Sequence, residues 1–140
     1  MNNLSKMYVK DKIPLVEDIL RAQKLMNKAD VRKTPLLKSN TFSNTAGTNI
    51  YLKFESFQKT GSFKVRGAYS KINSLTNAQR KAGVIAASAG NHAQGVAYAA
   101  LKRNIKCNIV MPKNASPAKV AATRSYGANV VLSGNTYDES

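Results

Sequence analysis

Two hydrophobic periodicities alternate along this chain. Short apolar or alternating runs predict strands at residues 50–54, 84–87, 106–111 and 130–132. Apolar positions at helical spacing predict helices at residues 14–28, 62–74, 76–81, 91–103 and 117–126. Residues 34–38 are expected to be extended, since Pro35 disfavours a helical Thr34. The segment 39–47 is rich in turn residues and is predicted to hold at most one short helical turn.

From residue 83 onward the order of the predicted elements is regular. Successive strands start about 22 residues apart, and a predicted helix lies between each strand and the next. Alternation of strands and helices is typical of a parallel sheet covered by helices. The pattern therefore predicts an α/β fold with a small open parallel sheet and flanking helices.

The composition is that of a globular chain. Of its 140 residues 43% are hydrophobic, and no apolar run approaches the roughly 20 residues that span a bilayer. Cys107 is the only cysteine and cannot form an internal disulfide, which fits a reduced cytoplasmic compartment. His92 is the only histidine and has no ligand residues near it in the sequence, so no metal site is predicted.

The formal net charge is +15, from 22 basic and 7 acidic residues. Strongly basic domains often neutralise nucleic-acid phosphates, so a basic nucleic-acid-binding module is one interpretation of this balance. The basic residues are spread over the whole chain, however, and form no tract of five or six. We therefore expect most of them on solvated helix faces, with no nucleic-acid partner and no membrane partner.

Lys64 lies in the first candidate site, residues 55–68 (ESFQKTGSFKVRGA). Ser62 is predicted to cap the following helix. The buried stripe of that helix is expected to consist of Val65, Ala68, Tyr69, Ile72 and Leu75. Lys64 then falls in the first turn, off that stripe, where the positive helix end favours a neutral and nucleophilic amine. The alternative is an ordinary solvated surface lysine.

Residues 88–92 (SAGNH) form the second candidate site, between a predicted strand and the helix that follows it. Ligands of open parallel sheets bind at the carboxyl ends of the strands. Gly90 permits close approach to the backbone, and the first N–H groups of a helix can hold a carboxylate or a phosphate. The alternative is a plain helix start in which Ser88 or Asn91 serves as the cap.

Both candidate sites resemble segments of a single family. Residues 60–68 (TGSFKVRGA) and 88–95 (SAGNHAQG), with Lys64 and Ser88 about 24 residues apart, resemble the lysine segment and the substrate loop of fold-type II pyridoxal-phosphate (PLP) enzymes. The threonine/serine dehydratase branch is the most similar, in particular the catabolic threonine dehydratases. The resemblance covers the chain from about residue 14 and implies PLP as the cofactor.

The resemblance also implies roles for individual residues. Lys64 is expected to bind the cofactor covalently, Phe63 to pack near its ring, and Asn91 to bond its 3′-oxygen. The residues implied to bind the substrate carboxylate, largely through backbone N–H groups, are Ser88, Ala89, Gly90, Asn91 and His92. The implied activity is β-elimination of water from an amino acid, which gives 2-oxobutanoate and ammonia from threonine, or pyruvate and ammonia from serine.

Ala89 helps to choose among members of this family. Serine racemases resemble the same segment but carry a serine here, which acts as an acid/base on the opposite face of the cofactor. Ala89 cannot exchange a proton, which favours elimination over racemisation. Serine racemase and hydroxyaspartate ammonia-lyase are the alternatives within the family, and a remnant of the fold that binds no cofactor is another.

The chain matches only part of such an enzyme. The family's glycine-rich loop for the cofactor phosphate and the residue facing the pyridine nitrogen are not found in the sequence. We therefore expect residues 1–54 to be an N-terminal arm of the large domain and residues 55–140 to be a truncated small domain that carries the PLP lysine. This piece alone is expected to be inactive, and the full-length protein to be a homo-oligomer, either a dimer or a tetramer.

A nucleotide effector site is the last expectation from the resemblance. In the nucleotide-activated catabolic subgroup, the residues that match Lys59, Thr60 and Gln94 touch the activating nucleotide. Ser125 stands where an acidic residue is expected in that subgroup, which argues against activation here.

Overall fold

The computed structural model describes residues 14–26, 30–136 and 139 and contains a three-stranded parallel sheet. The sheet order is β3 (Val84–Ala87), β4 (Cys107–Met111) and β5 (Asn129–Leu132). Val84 lies opposite Cys107, and Asn108 lies opposite Asn129. The predicted small parallel sheet is therefore confirmed, and each strand begins within one residue of its expected start.

Two helices connect the three strands of the sheet, and two more immediately precede these strands in the chain. In chain order they are α3 (Lys64–Asn73), α4 (Asn77–Ala82), α5 (Asn91–Lys102) and α6 (Pro117–Ser125). Small buried side chains run along α5, so α3 packs closely against it. The predicted buried stripe of α3 is confirmed up to Ile72, while Leu75 follows the end of the helix and is only partly buried.

The N-terminal part contains a helix and an antiparallel strand pair. Helix α1 (Val16–Lys24) begins two residues after the predicted start at residue 14, and positions 27 and 28 of that prediction lie outside the described residues. Strand β1 (Leu36–Lys38) pairs with β2 (Tyr51–Lys53). No helix in the described ranges is long and apolar enough to cross a membrane.

The predicted turn-rich connection between β1 and β2 is instead a two-turn helix, α2 (Asn40–Ala46). Ser39 caps this helix, because its hydroxyl accepts a hydrogen bond from the Phe42 amide at 3.3 Å. Gly47 ends it with a φ of 65°, a left-handed conformation that glycine adopts at little cost. The polar Asn, Thr and Ser residues of α2 have weak helix propensity, so only the two cap residues could have indicated it.

Asp30 joins the N-terminal part to α3 and α5. Its carboxylate accepts a hydrogen bond from the Tyr69 hydroxyl at 2.7 Å, and its carbonyl accepts one from the Tyr98 hydroxyl at 3.0 Å. Arg103 donates to the Tyr69 oxygen at 2.7 Å and to the Asn73 side-chain oxygen at 2.6 Å. These partners are 30 to 68 positions apart in the chain, so the sequence patterns contain no sign of the network.

Candidate active site

Lys64 is the first residue of α3, and its side chain is exposed. The helix cap is Phe63 and not the predicted Ser62, because the Ser62 hydroxyl accepts only from the amide of Lys64, the first helical residue, at 3.3 Å. The Lys64 amine lies 5.3 Å from the centroid of the exposed Phe63 ring. No ion pair within the described residues includes Lys64, so its amine is open to a carbonyl compound.

Gly95 brings the two candidate sites together. A Cβ atom placed on Gly95 would lie 3.1 Å from the carbonyl carbon of Lys64, 3.2 Å from its carbonyl oxygen, and 3.2 Å from the Val65 nitrogen. These separations are shorter than ordinary van der Waals contacts, so only glycine lets α5 approach α3 this closely. Asn91 begins α5 about one turn before Gly95, so the α5 start is about one helical turn from the contact with the Lys64 backbone.

The loop between β3 and α5 is held by the buried Ser88 side chain. Its hydroxyl accepts hydrogen bonds from the Gly90 and Ala93 amides, both at 3.3 Å, and its own amide donates to the Val110 carbonyl at 3.0 Å. Of the two caps that the sequence left open, Ser88 is thus the residue that bonds the α5 start. Both the hydroxyl and the amide of Ser88 therefore have partners within the fold. The expected contact of Ser88 with substrate stays a prediction.

The beginning of α5 has the properties of an anion site. Helix geometry leaves the N–H groups of Asn91 and His92 without an intrahelical acceptor, and the helix dipole makes this end positive. Both side chains are exposed, while Ala89 and Gly90 are partly buried. Among the described residues, no three His, Cys, Asp or Glu side chains form a group that could hold a metal ion. The chemistry available here is the binding of a carboxylate or phosphate by amides.

Ser88→Ala should lower the free energy of unfolding by about 1 kcal/mol, because it removes the acceptor of two loop amides. Urea unfolding followed by circular dichroism measures the change. Ser56→Ala is the matched control, since Ser56 is exposed and should be near neutral. Equal stability of the two variants would contradict the role assigned to Ser88.

Glu55 and Arg66 form an ion pair between the loop before α3 and its first turn. Arg66 donates from Nε to Oε2 at 2.9 Å and from Nη2 to Oε1 at 2.8 Å, and the Thr34 hydroxyl also donates to the Glu55 carboxylate. The Arg66 hydrogen bonds hold the pKa of Glu55 below its ordinary value of 4.5, although burial acts in the opposite direction.

Because the pKa of Glu55 is lowered in the folded protein, the free energy of unfolding should depend on pH. The Glu55 carboxylate stabilises the fold above its ordinary pKa of 4.5, and this contribution is lost as the pH falls through the lowered folded pKa. Between pH 7 and about pH 3, the unsubstituted protein should therefore lose more unfolding free energy than Glu55→Gln. Urea unfolding at several pH values tests this expectation, and parallel pH profiles would contradict it.

The three proposed effector residues border the contact between α3 and α5. Lys59 is exposed and Thr60 is buried, and both precede α3. The Thr60 hydroxyl has no hydrogen-bond partner in the part of the chain that the structure describes. Gln94 is partly buried and lies next to Gly95 in α5. The role of these three residues as a nucleotide site stays a prediction.

Gly95, Glu55 and Arg66 are the site residues whose roles the sequence did not reveal. A glycine inside a predicted helix indicates close packing, because it otherwise weakens the helix, and this signal was present at Gly95. The charges of Glu55 and Arg66 are eleven residues apart, and residues 55–66 do not form one continuous helix or strand. Only the path of the loop brings them together.

The exposed amine of Lys64 and the free amides at the start of α5 are the kinds of group that bind a carbonyl cofactor and an anion. Residues 28–140 match the family described as "Pyridoxal-phosphate dependent enzyme", and the chain belongs to this family. The predicted family and the predicted PLP cofactor are thereby confirmed.

Individual relatives and solved structures are also similar to this chain. The chain is 52% identical over 124 residues to the L-threonine ammonia-lyase of Thermotoga maritima, covering 89% of this chain and 31% of that protein. It is 47% identical over 125 residues to the catabolic L-threonine dehydratase of Escherichia coli K12, covering 89% and 37%. A serine racemase structure from Dictyostelium discoideum is 40% identical with a TM-score of 0.81, covering 88% of this chain and 40% of that one. The chain spans about a third of the length of these curated relatives.

The residues present fit the aldehyde end of PLP. Lys64 supplies an exposed primary amine, and the exposed Asn91 supplies an amide that can bond an oxygen of the ring. When bound, PLP withdraws electrons from the substrate carbon that loses its proton. The residues that would hold the cofactor aldehyde and a substrate carboxylate are Lys64 and those at the α5 start.

Proposed function

We propose that this chain carries the lysine segment and the substrate loop of a threonine/serine dehydratase. The proposed reaction eliminates water from threonine or serine. A water molecule then hydrolyses the released imine, so that ammonia is the net loss and 2-oxobutanoate or pyruvate is formed. The observation that supports the proposal is the close approach of Gly95 in α5 to the backbone of Lys64 and Val65 in α3. The dehydratase names of two relatives support the substrate class.

Each residue has a defined task in this proposal. The Lys64 amine holds the cofactor and, once released, accepts the proton from the substrate α-carbon at Nζ. The amides of Ala89, Asn91 and His92 hold the substrate carboxylate, so that the α-proton faces Lys64, while the Gly90 amide already donates to Ser88. Asn91 bonds the cofactor 3′-oxygen, and Phe63 packs near its ring. Residues 55–140 are proposed to be the lysine-bearing small domain, and residues 1–54 an arm of a larger domain.

Ala89 supports elimination over racemisation. A racemase needs a proton donor on each face of the substrate carbon, and the methyl group of Ala89 supplies none. The likeness to a serine racemase structure keeps racemisation as the second candidate. Product analysis of serine incubated with the PLP-loaded full-length protein separates the two, since a dehydratase forms pyruvate and a racemase forms D-serine.

Covalent trapping tests the role of Lys64. PLP is added to the 140-residue chain, borohydride reduces any imine formed, and peptide mass spectrometry locates the label. We expect a single main adduct on Lys64, which Lys64→Ala abolishes. Lys71→Ala is the matched control, because Lys71 is another exposed lysine of α3 and its loss should change nothing. Labelling spread evenly over the exposed lysines would contradict the proposal.

We also propose a nucleotide effector site at Lys59, Thr60 and Gln94. The buried Thr60 hydroxyl supports it, since it has a donor to spare and no partner among the described side chains. Isothermal titration with AMP, with adenosine as the ligand that lacks a phosphate, tests the site. Lys59→Ala should abolish AMP binding, whereas the exposed control Lys119→Ala should not. No AMP binding by the unsubstituted protein would contradict it.

We infer that the protein works in the cytoplasm as a homo-oligomer, without a nucleic-acid or membrane partner. Cys107 is 7% exposed, and burial raises the pKa of its thiol to about 11, which suits a cysteine kept reduced.

Exposed apolar side chains on α1, including Val16 and Ile19, offer an area for association between copies of the protein. Light scattering measures the oligomeric state. Steeply salt-dependent DNA or RNA binding would favour the nucleic-acid alternative.

A further inference from the structure

The position of the Lys64 amine depends on the position of the Lys64 main chain. The side chain is exposed, and the contact found for its amine is the neighbouring Phe63 ring at 5.3 Å. A long exposed lysine samples several rotamers, so the site must locate the Cα atom of Lys64 before the amine can be placed. Gly95 limits that Cα position from the side of α5. The other side of the first α3 turn must be held by different groups.

The ion pair between Glu55 and Arg66 lies on this second side. Two parallel hydrogen bonds, at 2.8 and 2.9 Å, give a guanidinium–carboxylate pair one fixed orientation. The Glu55 side chain is 15% exposed and the Arg66 side chain 30%, so solvent screens the pair only in part. The pair joins the two ends of the segment 55–66, and Lys64 lies two residues before Arg66 on the same helical turn.

A third segment holds the pair in place. Arg66 Nη2 donates to the Arg32 carbonyl at 3.0 Å, and Thr34 donates to Glu55. The buried Gln58 side chain accepts from the Arg32 amide at 2.8 Å and donates to the Arg32 carbonyl at 2.9 Å. The segment 55–66 is therefore fixed to residues 32–34 and does not depend on α3 alone for its position.

We propose that Glu55 and Arg66 are positioning residues for Lys64, and that their two parallel hydrogen bonds set where the lysine amine meets the cofactor aldehyde. Neither residue touches the reacting atoms in this proposal. Both act through the backbone of the first α3 turn. The inference rests on the proposed role of Lys64 and adds two residues to it that are needed for the geometry of the reaction.

The experiment uses the trapping reaction and compares lysines within one sample. The rate of adduct formation at Lys64 is divided by the rate at Lys71, so that a general loss of structure affects both. Glu55→Gln removes the charge of the acceptor, and Arg66→Lys keeps the positive charge but loses the two parallel bonds. Asp18→Asn is the matched control, because Asp18 pairs with Arg21 on an exposed helix face at 3.8 Å.

We expect the Lys64 to Lys71 ratio to fall about tenfold in Glu55→Gln and in Arg66→Lys, since a small misplacement of a reacting group can cost up to about 100-fold. Asp18→Asn should leave the ratio unchanged. Hydrogen exchange supplies a reading without cofactor: the amides of residues 59–64 should exchange faster in both variants, while those of α5 do not change. Faster exchange throughout the chain would indicate a merely structural role and overturn the inference.

The outcomes separate this inference from the proposed function. Selective Lys64 labelling that is the same in all four proteins would overturn the positioning role and leave the proposed function intact. Unselective labelling in the unsubstituted protein would overturn both, because Lys64 would then have no special reactivity for Glu55 and Arg66 to set.

Discussion

Gly95→Ala should both destabilise the fold and reduce the selective labelling of Lys64. The added methyl group meets the Lys64 backbone at 3.1 and 3.2 Å, and backbone atoms cannot rotate away as a side-chain end can. Overpacking of this kind costs about 1–3 kcal/mol. Alanine recovers about 0.5–1 kcal/mol as a better helix former than glycine, which is too little to reverse the sign.

Gly67→Ala provides the matched control for this prediction. Gly67 lies inside α3, and a Cβ added there meets nothing within 4 Å. The same chemical change should therefore stabilise the protein by about 0.5–1 kcal/mol through helix propensity. Urea unfolding gives the two free energies, and borohydride trapping gives the Lys64 labelling rates. Stabilisation by both substitutions, with unchanged labelling, would show that α3 and α5 are not in tight contact at Gly95.

Tyr69→Phe should have the other large effect, on stability alone. Tyr69 is fully buried, and its hydroxyl donates to Asp30 and accepts from Arg103, both at 2.7 Å. Phenylalanine keeps the ring beneath the Arg103 guanidinium, 4.9 Å from the ring centroid, but leaves both partners short of one hydrogen bond. Loss of a buried partner costs about 1–3 kcal/mol, more if the partner is charged.

Tyr51→Phe is the control for the Tyr69 substitution. Tyr51 is 56% exposed, so loss of its hydroxyl should change the free energy of unfolding by less than about 0.5 kcal/mol. Burial raises the pKa of Tyr69, and the hydrogen bond to Asp30 acts in the same direction. Its stabilising contribution is therefore present below pH 10 and is lost as the pH rises through the higher folded pKa. Equal stabilities of the two phenylalanine variants would mean that the Asp30 network is dispensable.

The boundaries of several elements could be predicted because their signals are local. Pro117 at the first position of α6 and Gly127 just after its end marked that helix correctly, and Gly127 has a φ of 78°. Lys64 and the loop 88–92 were recognised as chemical segments because their glycines, hydroxyls and amides are adjacent in the sequence. Helix α2 was missed because its polar residues give no apolar periodicity.

The tertiary structure decided which of two serine hydroxyl groups bonds the start of a helix. Ser62 does not cap α3, and Ser88 bonds the loop amides, although both residues look equally suitable as helix caps in the sequence. Whether a hydroxyl reaches a given amide depends on the backbone angles before the helix, and those angles depend on how the loop packs. The ion pair between Glu55 and Arg66 likewise depends on how the loop packs.

The amino-acid sequence alone determined the order of strands and helices from α3 onward, the parallel sheet and the two reactive segments, because periodicity and cap residues act over a few positions. Packing alone decided that the Lys64 backbone rests against Gly95, thirty-one positions later in the chain, and that Asp30 reaches Tyr69 thirty-nine positions away. Contacts at such separations depend on the close fit of whole helices, and no pattern within one helix contains that fit.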